Sequence, residues 1–123
     1  MQIIEKGDNE IMEAQPREIR IYQRDDGKIP FEEWLYSFRD VTARSKIKER
    51  LKRASFGNLG DYRSLGDGVF ELRIDYGSGY RVYFGQIGSI IIIILCGGDK
   101  STQDRDILKA KEYWEDYRRS DNG

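Results

Sequence analysis

Histidine is absent from this 123-residue chain, and cysteine occurs once, as Cys96. The first absence excludes Ser/His and Cys/His triads and argues against a zinc site. Any acid–base chemistry must then fall to Lys, Arg, Tyr, Asp or Glu. The second excludes an internal disulfide framework and points to the cytosol. Cys96 follows a run of isoleucines and reads as a small buried apolar residue rather than a nucleophile. No window of about 18 apolar residues occurs, so no transmembrane helix is expected. The opening MQIIEKGDNEIMEAQPRE also lacks the apolar stretch of a secretory leader.

Charge is abundant: 35% of residues are charged against 38% hydrophobic, which suits one small globule with a modest core. The net charge of −1 speaks against a nucleic-acid partner, but its distribution is uneven. Residues 1–40 hold 6 basic and 10 acidic side chains, whereas residues 41–109 hold 12 basic and 8 acidic. The middle of the chain therefore has the composition of a basic patch.

Residues 1–16 are acidic and weakly patterned and read as a disorder-prone extension. REIRIY (17–22) alternates Ile19 and Ile21 with polar partners, which predicts an edge or half-buried strand. Pro30 opens a helix running to about Asp40, with Phe31, Trp34, Leu35 and Phe38 at helical spacing. A second helix is expected over 41–55, with Ala43, Ile47, Leu51 and Ala54 as its buried stripe. Its remaining positions carry Lys46, Lys48, Arg50, Lys52 and Arg53, either a solvated face or a phosphate- or partner-facing surface. FGNLGDYRSLGDG (56–68) reads as a glycine-punctuated loop, and three strands follow at about 69–75, 80–86 and 89–95. Their short turns predict an antiparallel meander. The run SIIIIIL, apolar on both faces, belongs in the sheet centre. Ser101 and Asp104 resemble a capping box ahead of a helix over 102–118.

Within the meander, Arg73 and Arg81 fall on adjacent strands, opposite the apolar alternation. Tyr83 shares the face of Arg81, and Lys100 lies in the segment leaving the central strand. Two readings stand. In one, this is a solvent face on which Glu71 and Asp75 pair the arginines. In the other, Arg73, Arg81, Tyr83 and Lys100 line one concavity, where planar guanidiniums hold phosphate and a tyrosine stacks on a base.

From REIRIY to KAKEYW, through PFEEWL, LGDGVFELRIDYGSGYRVYF and LCGGDKSTQDRDILKAKEYW, the chain resembles the phage-derived addiction-module killer proteins. These are HigB-like toxins of the RelE/ParE superfamily from type II toxin–antitoxin systems. The resemblance implies an α+β fold in which two N-terminal helices and a C-terminal helix pack on a small, twisted, mainly antiparallel sheet. Residues 17–119 would form the single toxin domain and 120–123 a tail. It implies a metal-independent, cofactor-free endoribonuclease that cuts mRNA on the ribosome and so inhibits translation in the cytoplasm. The resemblance assigns the scissile phosphate to Arg73 and Arg81. Lys100 becomes a phosphate contact or acid, Tyr83 a stacking or positioning group, and Asp104 a base or, by preference, the helix cap. Lys46, Lys48, Arg50, Lys52 and Arg53 become the contact to RNA and ribosome. The implied partners are mRNA, the ribosome and a cognate antitoxin with a helix-turn-helix domain; operator DNA is met only through that antitoxin, and no membrane is involved. A gyrase inhibitor and a decayed, non-cleaving binding protein are the alternative readings.

Overall fold

The computed structural model describes the backbone of residues 2–6, 10–14 and 16–122 and the side chains of 16–120. Within the N-terminal extension, β1 (Gln2–Lys6) and β2 (Glu10–Ala14) pair antiparallel as a two-stranded sheet of their own.

The rest is organised by β7 (Ile91–Asp99), whose side chains are buried on both faces. Ile92 and Ile94 join one core and Ile93 and Leu95 the other, as expected of a strand covered on both sides. β7 is flanked by β3 (Glu18–Ile21), which runs parallel to it, and by β6 (Tyr80–Ile87), which runs antiparallel. β5 (Val69–Ile74) and β4 (Tyr62–Gly66) complete the order β3-β7-β6-β5-β4.

α1 (Pro30–Leu35) and α2 (Val41–Ser55) cover one face, burying Phe31, Leu35, Ile47 and Ala54 against Leu72, Val82 and Phe84. A 3₁₀ turn (Lys100–Thr102) leads into α3 (Gln103–Asn122). That helix packs Ala110 and Trp114 on the other face, against Val69, Tyr83 and Ile93. Glycines in the strands admit two indoles: a Cβ on Gly97 would meet the Trp34 ring, and one on Gly85 the Trp114 ring.

This arrangement corrects the expectation of two N-terminal helices on a mainly antiparallel sheet. The chain opens with strands, the sheet is five-stranded and mixed, and α1 and α2 lie in mid-chain between β3 and β4. The parallel β3–β7 pair is the cause, because a parallel neighbour needs a long crossover and everything from α1 to β6 supplies it. α1 also ends at Leu35 instead of near Asp40. Asp40 is instead the N-cap of α2, accepting from the Ala43 N–H at 3.0 Å, and a capping residue has non-helical backbone. The expected loop over 56–68 contains β4. The expected Ser101/Asp104 capping box is replaced by one between Asp99 and Thr102.

Candidate functional site

Strand register decides which polar side chains meet. Glu71 on β5 is paired with Tyr83 on β6 and, on its other side, with Arg63 on β4. Two residues along, Arg73 is paired with Arg81. All five therefore project to one face of the sheet, the face that α3 covers.

Glu71 is fully buried, with 0% exposure, and its carboxylate gathers the group. Oε1 lies 2.9 Å from Arg63 Nε and 3.2 Å from Arg73 Nε. Oε2 lies 3.5 Å from Arg81 Nε and accepts from Gln103 Nε2 at 2.9 Å. A buried carboxylate is costly unless both oxygens are satisfied. Here burial pushes its pKa up, but the bonds from Gln103, Arg63 and Arg73 outweigh burial and hold it below the usual carboxylate range. Glu71 is thus anionic at neutral pH, and the three guanidiniums around it leave the cluster positive.

The arginines differ in access. The Arg63 and Arg73 side chains are 48% and 41% exposed, while Arg81 is 12% exposed. Arg73 and Arg81 also line a shallow pocket with Asp61, Asp75, Gly79 and Tyr80.

Tyr83 shares their face, but that face is not open at its position. The side chain is fully buried in the core beneath α3, beside Trp114. Burial, then the nearby charges of Glu71 and Asp106, push its phenol pKa up, yet the hydroxyl closes a hydrogen bond to neither. The expectation that Tyr83 stacks on a base is therefore corrected: no base reaches it. Cys96, its register partner, is buried as well, and burial pushes the thiol up to about 12.

Lys100 is exposed at the start of the 3₁₀ turn, two positions beyond Gly98, the register partner of Arg81. Asp104 is exposed on the first turn of α3. On α2 the basic residues divide. Lys46, Lys48, Lys52 and Arg53 are exposed, and the Lys48 ammonium sits 5.2 Å from the Tyr36 ring centroid. Arg50 is buried at 6% exposure and donates to the Leu59, Asp61 and Arg73 carbonyls, so it holds the chain after α2 to β5. Its reading as an RNA contact is corrected on that ground.

Arg63 and Gln103 went unread in the sequence. Arg63 lies inside the glycine-rich stretch, and only the β4–β5 register brings it to Glu71. Gln103 arrives from a different element, and no spacing rule joins it to the strand.

Among the described residues, no group of three or more His, Cys, Asp or Glu is placed to hold a metal ion. No helix among them is long and apolar enough to cross a membrane. No family model matches the chain. An uncharacterized protein of Haemophilus influenzae (strain ATCC 51907 / DSM 11121 / KW20 / Rd) is 53% identical to it over 83 residues. The match covers 68% of this chain and 84% of that protein.

Proposed function

The chain belongs to the family of that Haemophilus influenzae protein, and we propose that it is the toxin of a type II toxin–antitoxin pair, cutting mRNA on the ribosome. The observation that carries this reading is the opposed pair Arg73 and Arg81 on the rim of a pocket. Guanidiniums held in this way suit a phosphodiester, since each offers planar donors and a permanent charge.

The reaction needs little else. The 2′-hydroxyl gives its proton to a solvent water acting as base, and its oxygen attacks the adjacent phosphorus. The bond to the 5′-oxygen breaks, and that oxygen takes up a proton. The products are a 2′,3′-cyclic phosphate and a 5′-hydroxyl, with no oxidant or added water. Negative charge builds on the non-bridging oxygens in the transition state, where Arg73 and Arg81 donate to them. Lys100, which is exposed and lines a separate hollow with residues 101–105, gives a further phosphate contact or protonates the leaving oxygen once RNA is bound. Lys46, Lys48, Lys52 and Arg53 face ribosomal RNA from α2. The toxin acts in the cytoplasm and is held inactive by a cognate antitoxin carrying a helix-turn-helix domain. That antitoxin alone brings it to operator DNA.

The test is controlled bacterial expression of the wild type and Arg81→Ala, with growth followed and mRNA 5′ ends mapped. The reading expects arrest by the wild type only, with new 5′-hydroxyl ends inside translated codons. Arrest by both proteins with intact message moves the target away from RNA, and no arrest by either removes the toxin reading.

A further inference from the structure

The three arginines all turn their Nε toward Glu71: Arg63 and Arg73 donate to Oε1, while Arg81 Nε lies 3.5 Å from Oε2 as an ion pair without closing a hydrogen bond. An arginine bound through Nε has its orientation set, and the bonds from Arg63 and Arg73 to Glu71 use Nε and not the Nη donors. Arg63 and Arg73 are both substantially exposed and both bear on the same oxygen, Oε1. Arg63 is thus held as Arg73 is, one strand further toward the sheet edge.

We propose that Glu71 is a positioning residue that presents Arg63, Arg73 and Arg81 together as a three-pronged phosphate receptor, making Arg63 a third phosphate-binding residue. The receptor rests on the reading of the chain as an RNA-cleaving protein; the Glu71 anchor is independent of it. Gln103 belongs to the device. By donating to Oε2 it ties the first turn of α3 to the carboxylate, so the helix fixes the rotamer on which all three arginines depend. The energetic logic is specific. A fully buried anion next to an anion-binding site weakens phosphate attraction, so its presence is explained by geometry and not by affinity.

That contrast supplies the experiment. The full-length wild type, Glu71→Gln, Glu71→Asp and Arg63→Met are prepared with ¹⁵N-labelled arginine, and folding is checked by thermal denaturation. Side-chain Nε–H exchange is measured first, then repeated during titration with inorganic phosphate. The wild type is expected to show slowed exchange at Arg63 and Arg73, whose Nε–H groups are bonded to Glu71, with both signals and that of Arg81 moved by phosphate. Glu71→Gln and Glu71→Asp are expected to lose that protection together; Glu71→Asp keeps the charge but shortens the reach, and it decides the matter where Glu71→Gln does not fold. Protection unchanged in the Asp variant overturns the anchor, and Arg63 signals indifferent to phosphate overturn the third prong.

Message cleavage on ribosomes is measured in parallel. Glu71→Gln is expected to lower kcat about 10²-fold with KM unchanged or lower, since misplacement costs turnover while loss of the anion helps binding. Full kcat with lowered KM overturns positioning and leaves Glu71 a mere charge. A wild type that cleaves no message removes the functional reading, and the exchange and phosphate arms still decide the anchor.

Discussion

Arg73 and Arg81 stand directly opposite each other across the β5–β6 pair. Like charges at such positions repel, and the sheet accommodates them because both bear on Glu71. Replacing Arg73 with Met keeps most of the stem while removing both the repulsion and one contact to the carboxylate. The two effects offset, so unfolding free energy should stay within about 0.5 kcal/mol of wild type by urea titration. Message cleavage should fall about 10²-fold or more, as when one transition-state donor is removed.

Acid stability should report Glu71. Its folded pKa lies below the ordinary value of 4.5, so its contribution is fully present above that value. It is lost as pH falls through the depressed folded value. Asp99 is also lowered, by bonds from Ser101 first, and contributes with the same sign. The difference between wild type and Glu71→Gln therefore isolates Glu71. Thermal denaturation across pH should show the two curves converging as pH falls from the ordinary value of 4.5 through the depressed folded one.

The basic residues of α2 should separate into two classes. Lys52→Gln should leave stability within about 0.5 kcal/mol and weaken ribosome association, with a shallower salt dependence. Arg50→Ala removes a buried charge that donates to three carbonyls. It should cost about 3 kcal/mol of stability, measured by chemical denaturation. A small effect at Arg50 would contradict the geometry.

Tyr83→Phe should be close to silent. The hydroxyl is buried without a partner, and removing an unsatisfied polar group costs little or stabilises. Cleavage should match wild type. A large loss of activity with intact folding would show that Tyr83 takes part in the chemistry after all.

Where sequence pattern and structure agree, the helical period did the work: α2 buries Ala43, Ile47 and Ala54 along one stripe, and α3 buries Ala110 and Trp114. Where they part, the cause is non-local. β4 is hidden among Gly60, Gly66 and Gly68, turn residues that mask a strand defined by pairing with β5. The polar side of GYRVYF looks open from its alternation, but β7 carries apolar residues on both faces, so both faces of the sheet are covered. Tyr83 is buried for that reason, and Arg81 escapes only by lying nearer the strand end. Glu71 carried a legible signal, a carboxylate inside a strand with apolar neighbours. What it binds depended on two other strands and a helix.

The pairing of β3 with β7 has a consequence for the protein's birth. Glu18 finds its register partner, Ile91, only when most of the chain has been made. Gln103, which steadies the arginine cluster, is made later still. Synthesis runs from the N-terminus, so β3 waits for β7 while the strands between them are made. Under the proposed function, this order of assembly would keep the chain from cutting the message on the ribosome producing it, and a chain terminated before Gln103 would lack the bond that steadies the cluster.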